Sequence, residues 1–121
     1  MLDRPTHREL HKKIEEAKEA LACGRCLFAN PAKAVGELYA LDIGDSSEVW
    51  TLIRTLLSEI EAADYAGSRP PQRSYEVLIA ERELFAFSWK SAKLNKAMYL
   101  KFALKDHCYY YVSLHPSQQE G

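Results

Sequence analysis

A chain of 121 residues, 47% apolar and 27% charged, carries enough material for one packed core and excludes a low-complexity or fibrous protein. No apolar run approaches the roughly 20 residues that a membrane helix needs, and the charged N-terminus lacks a hydrophobic signal core, so a cytoplasmic protein away from the membrane is expected. Three cysteines, Cys23, Cys26 and Cys108, are an odd and sparse set that argues against a disulfide framework and for a reducing compartment. The net charge of −1 hides an asymmetry, because residues 1–68 hold 8 Lys/Arg against 12 Asp/Glu and residues 69–121 hold 8 against 5. An acidic first half and a basic second half suit a protein that presents the latter to an anion or an acidic partner.

The first element opens at Pro5-Thr6 with Glu9 three residues on, a capping box that satisfies two backbone donors reciprocally. A helix from about His7 to Ala22 follows, with Leu10, Ile14, Ala17 and Leu21 as its apolar stripe and Gly24 placed for the left-handed residue that ends it. Asn30-Pro31 then supplies a cap and a proline at the first helical position of a short second helix, in which Val35, Leu38 and Leu41 would line one side. Asp45 and Glu48 mark the start of a third helix from about Ser46 to Asp64, whose buried side would be Val49, Trp50, Ile53, Leu57 and Ile60. Residues 66–72, with paired prolines at 70 and 71, cannot continue a helix and read as a stiff connection inside one domain.

Four strands are predicted beyond it, at about Tyr75 to Ala80, Leu84 to Lys90, Ala97 to Lys105 and Cys108 to Leu114, joined by short polar turns. The expected fold is α+β: N-terminal helices packed on one face of a C-terminal antiparallel β-meander of three to four strands. A single domain over residues 1–121 is expected, with a helical half at 1–66, a sheet half at 73–115 and a disordered tail at 117–121.

Period two gives each strand an inner and an outer face. Phe85, Phe87 and Trp89 point inward on the second strand. Met98, Leu100, Phe102 and Leu104 do so on the third, leaving Tyr99, Lys101 and Lys105 outward. On the last strand the same count turns Tyr110, Val112 and Leu114 inward and Tyr109, Tyr111, Ser113 and His115 outward. Aromatic rings interleaved with cations on one surface suit stacking on bases and pairing with phosphates, one way of holding single-stranded nucleic acid. An exposed antiparallel face is also polar simply because it meets water, and tyrosine favours strands without any functional demand.

Helices leading into a C-terminal meander, with the run Ala97-Met98-Tyr99-Leu100-Lys101-Phe102 and a last strand ending in His115, resemble bacterial type II toxins of the RelE and MqsR kind. The resemblance covers the C-terminal third of the chain. It implies an RNA-directed toxin-like domain of a toxin–antitoxin pair, a metal-free endoribonuclease or RNA binder silenced by an antitoxin partner. It further implies attack of a ribose 2′-hydroxyl on the adjacent phosphate, served by a base, an acid and cations. His115, Lys101 and Tyr99 would be the catalytic set, and Lys90, Lys105, Tyr109, Tyr111 and Arg73 would contact RNA, with Arg82 a further cation if the first two strands adjoin the site. No cofactor or metal is implied.

Two other function classes stay open. One is a non-enzymatic protein–protein interaction or regulatory module of bacterial origin, docking through the same face or through an edge strand. The other is a metal or redox protein built on Cys23-Gly24-Arg25-Cys26, with His7 and His11 earlier in the chain. Twelve residues of continuous helix would hold His11 and Cys23 roughly 18 Å apart, too far for one ion. A reactive first cysteine belongs at a helix N-terminus, whereas Cys23 falls at a C-terminus, where the helix field has the wrong sign. No phosphate-binding glycine loop, dinucleotide fingerprint or nucleophile elbow occurs.

Overall fold

A computed structural model describes residues 6–67 and 72–117. Pro5, most of the proline-rich connection at 68–71 and the expected tail beyond Ser117 lie outside the described residues. Among the described residues the chain forms three α-helices and a four-stranded mixed sheet of order β1-β4-β3-β2, an α+β fold with its helices N-terminal and most of its sheet C-terminal.

Helix α1 spans His7–Ala22. Thr6 and Glu9 close the capping box, Thr6 N donating to Glu9 Oε1 at 2.8 Å and Glu9 N to Thr6 Oγ1 at 3.1 Å. Its buried stripe is Leu10, Ile14, Ala17, Ala20 and Leu21, and Gly24 takes φ +77° just past its end, a conformation that a side chain disfavours. The chain then enters β1, Cys26–Phe28, which pairs in parallel with the last strand. This strand was not expected, since three residues are too few to show a period.

Helix α2, Pro31–Ala40, is capped by Asn30, whose side chain accepts from Lys33 N. Ala34 and Leu38 are its buried residues. Val35, expected to line the inner side, is exposed, because it lies one residue off the stripe on which Ala34 and Leu38 sit four apart. Helix α3, Ser46–Glu59, is capped by Asp45 and ends earlier than expected: Ile60 is already extended, and a single 3₁₀ turn at Ala62–Asp64 follows.

The meander is made of β2 (Phe85–Ser91), β3 (Lys96–Lys105) and β4 (Cys108–Pro116). Asp106 and His107, both at positive φ, form the two-residue turn between β3 and β4, the twist that a tight hairpin prefers. Helices α1 and α3 pack Leu10, Ile14, Ile53, Leu56 and Leu57 against Phe87, Met98, Leu100, Phe102 and Leu114, so one continuous core joins helices and strands.

The structure corrects the sequence reading of β4. Lys101 pairs with Ser113 while Phe102 pairs with Tyr111, leaving Val112 without a partner. This bulge reverses the alternation along the strand. Tyr109 and Tyr111 therefore face the helices, at 0% and 1% exposure, Tyr109 stacked on Phe102 and edge-on to Trp50 and Tyr111 edge-on to Phe28. Tyr110 and Val112, expected inside, lie on the other face. Beyond the bulge, Leu114 faces the helices again and Ser113 and His115 do not.

The predicted strand at Tyr75–Ala80 is absent. Residues 72–84 instead fold into a loop closed at its base by the Arg73–Glu83 bridge and by Leu84 N donating to Gln72 O at 2.7 Å, with a 3₁₀ turn at Val77–Ile79. Its Ile79 and Leu84 pack on Ala29, Ala103 and Tyr110. Among the described residues the second face of the sheet is thus half covered, and the end carrying Ser88, Tyr99, Lys101, Ser113 and His115 stays open.

Candidate functional site

That open end is a cleft of about 540 Å³. Its floor is one row from each strand of the meander: Ser88 from β2, Tyr99 and Lys101 from β3, Ser113 and His115 from β4. The register makes them neighbours, since Ser88 pairs with Tyr99, Tyr99 with His115 and Lys101 with Ser113. Lys33 of α2 and Ala66 border it from the two sides, and Ser117 closes one end. Ala66 is held there by its N–H, which donates to Ala86 O at 2.8 Å while Tyr65 bridges Phe87 at the β2 edge.

The side chains are ordered among themselves. The rings of Tyr99 and His115 stack at 5.0 Å and 22°, and Lys101 Nζ lies 5.8 Å from the Tyr99 ring centre. His115 Nδ1 is 2.9 Å from Pro116 O. A carbonyl only accepts, so Nδ1 carries a proton, and in the neutral ring the lone pair is on Nε2. Burial raises the Tyr99 hydroxyl above its ordinary pKa, keeping it a donor. Burial, and then the neighbouring charge of Lys33, lower the Lys101 ammonium below its ordinary value against the pull of Glu37.

Glu37, the carboxylate that pulls on Lys101, is hydrogen-bonded elsewhere. It straddles the edge of β4 just past the end of β1. Oε1 accepts from Tyr111 Oη at 2.7 Å and from Leu114 N at 3.0 Å, and Oε2 accepts from Ser113 Oγ at 3.2 Å. The carboxylate is spent on β4, and among the described residues the ion pairs are Lys13–Glu16 and Lys18–Glu15, both on α1. Lys33 and Lys101 face the cleft without an ion pair, although the charge of Glu37 still acts on Lys101.

The structure brings Tyr99, Lys101 and His115 together and disperses the remaining predicted contacts. Lys90 shares the open face but pairs with Ala97 at the far end of β2, outside the cleft. Lys105 reaches the covering loop, donating to Leu78 O at 2.9 Å, and Arg73 donates to Glu81 O within that loop. Arg82 is exposed on the same loop. Tyr109 and Tyr111 are buried on the opposite face and present no ring to a ligand. Lys33, Ser88 and Ser113 were missed as site residues. Lys33 sits where the sequence shows only a helix opening, and its approach to β3 is a tertiary fact without a local signal.

The cysteines lie apart from this cleft. Cys23 caps α1 in the open, and Cys26 is the first residue of β1, its thiol raised by burial and then by Cys108, the direction away from a reactive thiolate. Among the described residues no three His, Cys, Asp or Glu side chains form a metal-ligand group. Among the described residues no helix is long and apolar enough to cross a membrane. No protein-family model, curated protein or solved structure matches this chain.

Proposed function

We propose that this chain is an RNA-directed domain that grips a single-stranded segment in the cleft and cleaves it with its own side chains, as the toxin-like member of a toxin–antitoxin pair. One observation carries the proposal: two lysines without an ion pair converge with a stacked Tyr99–His115 pair in a single concave site. The likeness of the C-terminal strands to RelE- and MqsR-type toxins supports the reaction class.

In the proposed step, His115 Nε2 removes the proton from a ribose 2′-hydroxyl, and the 2′-oxygen attacks the adjacent phosphorus. The bond to the 5′-oxygen breaks, and that oxygen takes its proton from Lys101, whose ammonium burial has made a better acid. Lys33 and Lys101 balance the charge on the non-bridging oxygens meanwhile. The products are a 2′,3′-cyclic phosphate and a 5′-hydroxyl. A lowered Lys101 also fixes a pH sign: activity declines on the alkaline side before the ordinary lysine value of 10.5 is reached.

Incubation with a labelled single-stranded RNA and its all-2′-deoxy analogue tests this. The expected result is cyclic-phosphate ends from the RNA and no cleavage of the deoxy strand. His115→Ala should slow cutting by a factor on the order of 100 or more with its circular dichroism unchanged. An RNA neither bound nor cut, or cut equally by the variant, overturns the proposal. A second reading, docking of another protein, is favoured by Tyr39, Tyr75 and Val77 at 83%, 93% and 89% exposure, all outside the cleft.

A further inference from the structure

The cations of this cleft come from elements that the sheet does not itself hold together. Lys101 is fixed by the β2-β3-β4 ladder, whereas Lys33 belongs to α2, which follows β1 and reaches the meander at the β4 edge. Past Phe28 the strand β1 stops, so the β4 edge beyond Tyr111 has no strand to pair with. The carboxylate of Glu37, one helical turn after Lys33, takes the place of that strand: it accepts the Leu114 N–H, the Ser113 hydroxyl and the Tyr111 hydroxyl together. Residues four apart on a helix share a face. The same face of α2 therefore delivers an anchor to β4 and a cation to the cleft.

From this geometry we infer that Lys33 and Lys101 form a two-sided phosphate clamp, and that Glu37 is the positioning residue that sets its width by seating α2 on the β4 edge. Glu37 gives its oxygens to three donors of β4 and forms no ion pair with either lysine, so both ammonium groups stay available to a phosphate of the bound ligand. Ser88, whose hydroxyl lies 3.4 Å from Ser117 Oγ, lines the same cleft, whereas the Ser113 hydroxyl gives its proton to Glu37 Oε2. Only the nature of the ligand rests on the RNA reading given above; the clamp is a statement about phosphate.

Two probes separate the two ideas: a fluorescein-labelled single-stranded oligouridylate, read by anisotropy over a salt series, and inorganic tripolyphosphate, read by titration calorimetry. Lys33→Ala and Lys101→Ala should each weaken both probes about tenfold and each lower the slope of log affinity against log salt by about 0.7, one phosphate contact on a single strand. Glu37→Gln keeps oxygen and nitrogen near the same β4 groups and removes a negative charge, so it should bind both probes at least as tightly as the wild type. Glu37→Ala should lose as much as Lys33→Ala and, combined with it, lose nothing more. Lys33→Ala with unchanged affinity and slope overturns the clamp, even where oligouridylate still binds and the RNA reading survives. Additive losses from Lys33→Ala and Glu37→Ala, or a Glu37→Gln variant as weak as Lys33→Ala, overturn the positioning role without needing Glu37→Ala to fold. Lysine-dependent tripolyphosphate binding with no oligouridylate binding upholds the clamp and overturns the RNA reading.

Discussion

Two tyrosines two positions apart on β4 share one face of the sheet and differ in one atom's surroundings. The Tyr111 hydroxyl donates to Glu37 Oε1 at 2.7 Å, whereas the Tyr109 hydroxyl is buried without a hydrogen-bond partner. Burial raises both phenols far above their ordinary range, with Glu37 adding to the effect at Tyr111, so both stay protonated donors across the accessible pH range. Removing a paired hydroxyl costs its bond and strands the carboxylate, while removing an unpaired one relieves a desolvation cost. Tyr111→Phe should therefore destabilise the fold by about 2 kcal/mol, and Tyr109→Phe should leave it unchanged or stabilise it by about 1 kcal/mol. The urea midpoint of Tyr111→Phe should fall, and that of Tyr109→Phe should stay at or rise above the wild-type value. The exposed role first expected for these residues would give no such contrast, since surface tyrosines tolerate loss of the hydroxyl within about 0.5 kcal/mol.

The helices were legible in the sequence because their signals are local. Thr6 with Glu9, Asn30 with Pro31, and Asp45 mark the starts, and Leu10, Ile14, Ala17 and Leu21 mark a buried face within four turns. The sheet was legible only in part, because period two is fragile. One unpaired residue, Val112, inverts every assignment before it on β4, and no residue type in Cys108–Tyr111 announces it. Tyr75–Ala80 has strand composition but forms a loop, its backbone groups closing on one another through Ser74, Glu81 and Arg82. The cleft was half legible: Tyr99, Lys101 and His115 follow from strand position, while Lys33 follows only from where α2 lands. Between elements, Glu59 at the end of α3 accepts from Trp89 Nε1 at 2.9 Å and from Lys93 N at 2.8 Å, clasping β2 and its following turn. Burial pushes its pKa up, but hydrogen bonds from Trp89, Lys93, Ser91 and Ala92 outweigh that and hold it below the ordinary value. A lowered acid contributes stability that is present above its unfolded value of 4.5 and lost as the pH falls through the folded one. Wild-type stability should thus decline in acid more steeply than that of Glu59→Gln, which at neutral pH should be weaker by about 1 kcal/mol, a figure reduced for the partial exposure of the carboxylate. Urea titrations of both at neutral and acidic pH check the slope, and parallel pH profiles would remove Glu59 from the account.

At the scale of the molecule, the helical residues and the meander share their apolar groups. Leu10 and Ile53 from the helices and Phe87, Leu100 and Leu114 from the strands belong to one cluster, and β1 and α2 stitch the N-terminal residues onto β4. Neither part can bury these groups alone, so their exposure on separation would cost more than either could recover. The charge asymmetry between residues 1–68 and 69–121 is consequently not a division between two independent bodies. Unfolding should be a single cooperative step. The chain supplies its own reporters: α-helical signal comes from residues 7–59, while Trp50 reports the packing of α3 on Phe28 and Tyr109, and Trp89 reports the clasp of β2 to Glu59. Circular dichroism at the helical minimum and tryptophan emission should trace coincident urea transitions with the same midpoint and slope. Emission lost before ellipticity would instead mean that the sheet and its cleft open while the helices persist. The phosphate clamp would then be a feature that exists only when α2 is docked, and Glu37→Ala, which removes the anchor to β4, should move the emission midpoint alone.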